Sequence, residues 1–188
     1  MMTDIGGRRL RLGLAWEALD PGRVAERVAE AVGQPVPVGG PIALGGLTLV
    51  LRASEPGTSD RLLIVTDLER PRASIPTGAV IGWATVDVER AQRDLVEAGI
   101  VASALTAEGT DLLLGAAVRR AASSVFGCPL LLLEPVTEGR LAATLARHGE
   151  GPCAIYLEHG AGAAVLAPVG TRTGPHLIIG GAEYHRGR

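Results

Sequence analysis

Trp16 and Trp83 are the only tryptophans of the chain, and each stands four residues before an aspartate. Around Trp83, a short apolar stretch leads to Asp87, and residues 88–98 then carry apolar and charged side chains at helical spacing. An aspartate at such a point accepts hydrogen bonds from the free amides of a first helical turn. The stretch therefore predicts a strand, a capped amphipathic helix and a helix end at Gly99.

A second copy of this pattern lies earlier in the chain, at residues 13–33. Trp16 stands there four residues before Asp20, one extra residue follows the aspartate, and Gly33 ends the segment. Two strand–helix units with the same order of residues indicate a duplicated module, whereas the alternative is chance alternation in a chain rich in alanine and arginine. Duplication predicts that both tryptophans are buried at matching positions, each beneath its own helix.

Composition excludes several classes of function. A formal net charge of −2 provides no attraction for nucleic acid, and no apolar segment approaches the roughly 18 residues that a membrane helix needs. All 18 basic residues are arginine, so lysine Schiff bases, pyridoxal phosphate attachment and phosphate-loop lysines are excluded. The N-terminal residues lack the apolar centre of a signal peptide. We therefore expect a cytoplasmic protein in which Cys128 and Cys153 are reduced core residues.

Chain order predicts two modules, each with one strand, one helix and three strands. The stretch that contains Pro71 and Pro76 separates them and is predicted to be a linker. The predicted fold class is α+β, with tandem modules that form a cup-shaped mixed sheet in one compact domain. We divide the chain into a loose leader (residues 1–9), a first βαβββ-like module (10–68), the linker (69–78), a second βαβββ-like module (79–135) and an extension (136–188).

The second module is predicted to place strands at residues 80–86, 100–105, 111–118 and 129–134. Whether residues 119–124 form a helical turn or a bulge stays open at this stage. Because residues 130–133 are all leucine, their strand is expected to be central and covered on both sides. The extension is predicted to contain a helix at 138–148, a strand at 153–157 and a closing hairpin that includes 176–179.

Three stretches resemble the vicinal oxygen chelate superfamily, which includes glyoxalases, bleomycin-resistance proteins and ring-cleaving dioxygenases. Residues 81–87 are similar to the family's opening strand and its helix-capping aspartate. Residues 129–135 resemble the strand that closes a module, and residues 145–157, LARHGEGPCAIYL, resemble the connector to the next opening strand. The resemblance implies a pair of βαβββ modules that form a cup around a small-molecule ligand.

The same resemblance bears on metal binding. Members of the family that bind a divalent metal take its ligands from the opening and closing strands of their modules. The corresponding positions in this sequence fall near Gly13, Val65, Val80, Leu131 and Ala154, and none of these side chains can bind a metal. The resemblance therefore implies the fold without the usual metal site, and we expect no cofactor.

Five residues are candidates for a site in the cup. Glu17 alternates with Trp16 and is therefore predicted to face the cup, where an apolar wall raises the pKa of a carboxyl group and makes it a candidate catalytic base. Glu134, at the end of an apolar strand, is the second catalytic candidate. Trp16, Trp83 and Gly82 are candidate ligand-binding residues, although the tryptophans can instead fill the core beneath the helices.

The predicted function is that of a glyoxalase-like protein that holds an apolar or aromatic small molecule, without a metal; whether it is an enzyme stays open. One alternative is a lyase or isomerase with a displaced metal site that includes His159 and His176 together with Glu17 and Glu134. Another is a non-catalytic module for dimerisation or partner binding. The C-terminal strands must cover an existing sheet, and we expect that sheet to belong to the second subunit of a homodimer.

Overall fold

The computed structural model describes residues 12–102, 105–158 and 174–180. In chain order the elements are β1 (Gly13–Ala18), α1 (Pro21–Val32), β2 (Pro41–Leu44), β3 (Leu47–Ala53), β4 (Arg61–Val65), β5 (Ala73–Ile75), β6 (Ala79–Ala84), α2 (Val88–Glu97), β7 (Thr106–Asp111), β8 (Ala116–Ala121), β9 (Leu130–Pro135), α3 (Arg140–His148), β10 (Gly151–Leu157) and β11 (His176–Ile179). They form an α+β fold with two mixed sheets, in the strand orders β4-β1-β3-β2-β5 and β11-β10-β6-β9-β8-β7. No described helix combines the length and the apolar character needed to cross a membrane.

The first two helices begin as the sequence predicts. The side chain of Asp20 accepts a hydrogen bond from the amide of Arg23 at 2.9 Å, and that of Asp87 accepts one from Arg90 at the same distance. Gly33 ends α1 with φ at +72°, a conformation in which glycine has no steric penalty. Hydrogen bonds from the capping aspartates therefore determine where these two helices begin.

The second sheet contains a complete βαβββ unit. Strand β9 lies parallel to β6, and β8 and β7 follow in antiparallel order towards the edge. The strand predicted at residues 100–105 is wrong, because Val101 forms only an isolated bridge with Ser124 and β7 begins at Thr106. Residues 119–121 form the end of strand β8. In this part of the stretch the structure has neither the helical turn nor the bulge that the sequence left as alternatives.

The first sheet repeats the central pairings of the second, because β4, β1, β3 and β2 lie in the same order and orientations as β10, β6, β9 and β8. Strand β3 lies parallel to β1, while β4 pairs with β1 on its other side in antiparallel orientation. Strand β5 lies inside the predicted linker and pairs with β2 at the outer edge of the sheet. A linker over residues 69–78 is therefore wrong at its centre, because the short stretch between the two prolines can still pair at an edge, where a proline costs little.

The C-terminal strands belong to the second sheet of their own chain. Strand β10 pairs with β6 in antiparallel orientation, and β11 pairs with β10 in parallel. The expectation that this extension adds to the sheet of a second subunit is therefore wrong for these strands. The edge of β6 not used by β9 is available within the same chain, and only a short connection separates α3 from β10. The remainder of the predicted hairpin lies outside the described residues.

One hydrophobic cluster, here called the shared core, joins the two sheets. Side chains from β1, β6 and β10, including Trp16, Ile81 and Ile155, pack in it together with the apolar faces of α1 and α2. Trp16 is 1% exposed, and Trp83 is half-buried against the same core, so both tryptophans lie on the helix side of their sheets. Duplication of an ancestral module stays a prediction.

The turn between β2 and β3 meets the loop before β9 backbone to backbone. A Cβ atom on Gly46 would collide with the carbonyl oxygen of Gly127. We expect Gly46→Ala to lower the free energy of unfolding by about 2 kcal/mol, because the clash separates two backbone segments. Chemical denaturation checks this, with Gly40→Ala as control, since a Cβ there meets only the flexible Arg72 side chain. Equal stability of the two variants would contradict the expectation.

Candidate functional site

The second sheet has one face covered by α2 and another, here called the cup face, that points away from it. The cup face carries Val80, Gly82, Leu131, Leu133, Ala154 and Tyr156, in alternation with residues of the shared core. Helix α3 packs on this face and buries Leu141 completely against it. This half of the predicted cup is therefore filled by a helix of the same chain.

The five positions implied for metal ligands are divided between the two sheets. Val80, Leu131 and Ala154 all lie on the cup face within one buried apolar cluster, and Gly13 pairs with Val65 in the first sheet. These side chains offer only carbon atoms. Across the described ranges, no three His, Cys, Asp or Glu side chains come together as a possible metal site.

Gly82 makes room for side chains of the cup face. A Cβ atom there would lie 2.9 Å from the Cβ of Ala154, 2.9 Å from the Cδ1 of Leu133 and 3.0 Å from the Cε2 of Tyr156. The structure thus places Gly82 in packing contact with neighbouring strands. Trp16 and Trp83 lie on the opposite, helix-packed side, and not where stacking on a ligand in the cup would require them.

A buried polar pair lies on the cup face, and sequence reasoning missed it. The hydroxyl group of Tyr156 donates to Oδ2 of Asp111 at 2.7 Å, while Oδ1 accepts from the amides of Leu113 and Leu114 at 2.8 and 3.0 Å. Both side chains are buried, and burial together with the negative charge of Asp111 raises the pKa of Tyr156 well above its usual value. The pair ties β10 to the turn after β7.

His176 lies next to this pair and contacts α3. Its Nε2 is 3.2 Å from Oγ1 of Thr144, which itself donates to the carbonyl of Arg140. The hydroxyl oxygen is therefore left to accept from Nε2–H, and the ring is neutral. Burial, followed by the positive charge of Arg140, lowers the pKa of His176 to about 4, although the negative charge of Asp111 opposes this shift. His159, its predicted metal partner, lies outside the described residues.

Glu17 lies on the face of the first sheet opposite Trp16, as alternation predicts, but its environment differs from the expected one. Its Oε1 accepts from Nη2 and Nε of Arg52 at 2.7 and 3.1 Å, and its Oε2 accepts from Nε of Arg61 at 2.6 Å. The expected rise in its pKa is wrong. The hydrogen bond from Arg61 lowers the pKa of Glu17, burial opposes this, and Arg52 lowers it again.

Glu134, the second catalytic candidate, occupies the end of β9. It pairs with Ala117 of β8 and shares the orientation of Leu132, which belongs to the shared core on the α2 side. Glu134 therefore points away from the cup face. Glu17 lies on the first sheet, on the face opposite Trp16, so the structure does not bring the two glutamates together at one site.

An open cleft lies where α3, the connection after β6 and the end of β9 meet. Its volume is about 340 Å³. We call it the apolar cleft; it is lined by Val86, Pro135, Ala142, Leu145, Ala146, Gly149 and Glu150. Its α3 wall consists of small and apolar side chains at helical spacing. The sequence showed this stripe as the amphipathic character of the helix, without indicating that part of it stays uncovered.

Glu150 forms the polar rim of the apolar cleft. Its Oε1 accepts from Oγ1 of Thr85 and from the amide of Val86, both at 2.8 Å, and Arg90 donates to both oxygens at 2.6 and 2.7 Å. Burial tends to raise the pKa of Glu150, but these hydrogen bonds lower it below its usual value. The carboxylate is therefore charged, and it fixes the two connections that border the cleft relative to each other.

These features define an α+β protein whose second sheet carries a βαβββ unit with a helix packed on its cup face. No protein-family model and no curated protein matches the sequence.

Solved structures that are similar to this chain include a hypothetical protein from Bacillus halodurans, with 21% identity and a TM-score of 0.36 over 52% of this chain and 78% of that one. Methylmalonyl-CoA epimerase from Streptomyces coelicolor, in complex with 2-nitronate-propionyl-CoA, has 19% identity and a TM-score of 0.39 over 55% and 95%. A methylmalonyl-CoA epimerase with methylmalonyl-CoA and NH4+ has 18% identity and a TM-score of 0.40 over 57% and 96%.

Proposed function

We propose that this protein binds a small apolar or aromatic molecule in the apolar cleft, without a metal ion. The observation that carries this proposal is the cleft itself, whose volume of about 340 Å³ is in the range of small-molecule sites. Its walls are alanine, valine, leucine and proline side chains, so a ligand that buries apolar surface there gains the transfer free energy of that surface.

The filled cup face explains why the ligand belongs in the cleft and not deeper in the sheet. Leu141 of α3 is fully buried against the strands, and Leu145 packs on the same apolar cluster. A molecule between α3 and the strands would have to displace the helix, whereas the cleft on the outer side of Ala142 and Ala146 accepts one without that cost. Apart from Glu150, the residues that line the cleft have no side-chain oxygen or nitrogen atom, which supports binding that is independent of a metal.

The polar rim favours binding over catalysis and a neutral ligand over an acid. Glu150 is charged, and its oxygens already accept hydrogen bonds from Thr85, Val86 and Arg90. A general base needs a pKa near the working pH, whereas the pKa of Glu150 is lowered below its usual value. Because Arg90 already pairs with both oxygens of Glu150, the rim offers no free positive charge to a carboxylate or phosphate ligand.

Exposed apolar residues near the cleft favour a second candidate function, that of a dimerisation or partner-binding module. Val86 is 62% exposed and Val136 is 56% exposed. Large exposed apolar side chains around an apolar depression are typical of interaction surfaces. A homodimer through this surface would give a concentration-dependent molecular mass, which sedimentation at several protein concentrations measures.

Thermal unfolding in the presence of indole and of naphthalene tests the proposed ligand class. We expect both probes to raise the melting temperature of the wild-type protein, because a ligand at 100 times its dissociation constant stabilises by about 2.7 kcal/mol. In Ala146→Trp the new ring occupies the cleft, so the rise should be lost. Treatment of the wild type with a chelator should leave the rise unchanged.

Ala98→Trp is the matched control, since Ala98 is an exposed alanine at the C-terminal end of α2 and does not line the cleft. It should respond to both probes as the wild type does. If Ala146→Trp responds as strongly as Ala98→Trp, the cleft is not the binding site. A response that requires added metal would support the alternative of a metal-dependent lyase or isomerase.

A further inference from the structure

We propose that Arg52 and Arg61, held side by side by Glu17, form a second binding site, which takes the carboxylate of a small organic acid with an apolar body. This site lies on the first sheet and is independent of the apolar cleft.

Strand register places the three charged residues in one row. Glu17 of β1 is paired with Arg52 of β3 on one side and with Arg61 of β4 on the other. Directly paired residues of neighbouring strands project to the same face of a sheet. The two guanidinium groups therefore flank one carboxylate on the face opposite Trp16.

The row carries more positive charge than the buried carboxylate needs. One guanidinium group already neutralises a carboxylate, yet Glu17, which is 7% exposed, binds two. The arginine side chains stay 46% and 42% exposed, and no other ion pair involves either of them within the described part of the chain. The cluster thus presents a net positive charge to solvent, in an orientation fixed by short hydrogen bonds.

Both guanidinium groups keep donors that Glu17 does not use. Among the described residues, Arg61 donates through Nε only, which leaves its Nη1 and Nη2 groups. Arg52 donates there through Nε and Nη2, which leaves its Nη1 group. An arginine with unused, pre-oriented N–H groups binds a planar carboxylate in bidentate geometry. The entropy of ordering both side chains is already lost in the unliganded protein, which favours binding.

The next row of residues on the same face is apolar, and it would contact the apolar part of the ligand. Ala15 of β1 pairs with Val50 of β3 and with Leu63 of β4. Leu63 is half-buried, and it stands two residues from Arg61 on the same side of β4. An aryl or alkyl group attached to a carboxylate at the arginines would reach this side chain. The combination favours an organic acid over inorganic phosphate.

Nuclear magnetic resonance of the arginine Nε–Hε groups tests the site in the wild-type protein, with sodium benzoate and sodium phosphate titrated at constant ionic strength. We expect benzoate to shift the signals of Arg52 and Arg61 in a saturable manner and to bind more tightly than phosphate. Arg52→Gln and Arg61→Gln should each weaken benzoate binding by about tenfold or more. Tighter binding of phosphate would overturn the assignment to an organic acid.

Arg119→Gln is the matched control, because Arg119 lies on the other sheet, where it forms an ion pair with Glu89 at 2.7 Å. This variant should bind benzoate as tightly as the wild type does. If it loses as much benzoate affinity as Arg52→Gln and Arg61→Gln do, the loss reflects the overall surface charge, and the proposed site is wrong. Ala146→Trp separates the two proposals: the benzoate shifts should persist when the cleft is blocked. Their disappearance there would show that benzoate binds in the apolar cleft instead.

Discussion

Replacement of Asp111 by alanine is expected to lower the free energy of unfolding by about 3–5 kcal/mol. The carboxylate is 2% exposed and accepts hydrogen bonds from the hydroxyl group of Tyr156 and from the amides of Leu113 and Leu114. Its removal leaves these buried donors without their acceptor, and each such loss costs the desolvation free energy of the donor. Chemical denaturation with an unchanged m-value would measure this loss directly.

Asp94→Ala is the control for this prediction. Asp94 is an exposed acid of α2 whose contact with Arg90 is 3.9 Å long, so its removal should change stability by less than about 0.5 kcal/mol. Tyr156→Phe removes one of the hydrogen bonds to Asp111 and should cost about 1–3 kcal/mol. If Asp111→Ala unfolds at the same denaturant concentration as Asp94→Ala, the buried pair does not stabilise the fold.

Features that depend on neighbouring residues in the chain are predictable from this sequence. Asp20 and Asp87 cap their helices because the acceptor and the amide it binds are three residues apart. The four leucines of β9 are fully buried on both faces, as an uninterrupted apolar run indicates. Periodicity and capping are local physics, and both helix starts and the central strand follow from them.

Pairing between distant strands does not follow from local pattern. Residues 61–65 have the same apolar character whether they close a module beside β3 or flank β1, and the structure selects β1. The amphipathic stripe of α3 predicts that the helix covers something, but which sheet face it covers depends on how β6 and β9 are arranged. The observed topology therefore differs from the predicted one where a strand or helix could pack equally well on several surfaces of similar hydrophobicity.

The polar clusters show the same limit at the level of single side chains. Alternation correctly turns Glu17 away from Trp16, yet its pKa depends on Arg52 and Arg61, which lie 35 and 44 residues further along the chain. Likewise Asp111 meets Tyr156 across 45 residues. A lone acid at the end of a strand and a lone tyrosine in an apolar strand were the available signals, and neither identifies its partner.

Lowering the pH from about 7.5 to about 5 is expected to cost about 2 kcal/mol of folding stability through His176 alone. Its pKa in the folded protein is lowered from 6.5 to about 4, by burial first and then by the charge of Arg140. Between these values the unfolded chain binds a proton that the folded protein does not. The stability that depends on the neutral ring is therefore complete above pH 6.5 and is lost as the pH falls towards 4.

The interval between pH 4.5 and 6.5 isolates this residue from the acids. Glu17 and Glu150 have pKa values lowered from 4.5, so they stabilise the fold above that pH and lose their contribution only below it. Asp111 faces His176 as well, and its negative charge acts to raise the histidine pKa, but burial outweighs it. A loss of stability that begins near pH 6.5 thus reports the proton that His176 takes up when the protein unfolds.

Unfolding free energies measured across this interval check the assignment. His176→Leu should show a flat profile between pH 5 and 7.5, because the ring that takes up the proton on unfolding is absent. His148→Gln, which removes the exposed histidine of α3, should keep most of the slope of the wild type. If His176→Leu retains the full pH dependence while His148→Gln loses it, a group other than His176 takes up the proton. In that case the hydrogen bond between a neutral His176 and Thr144 does not connect β11 to α3 as the structure indicates.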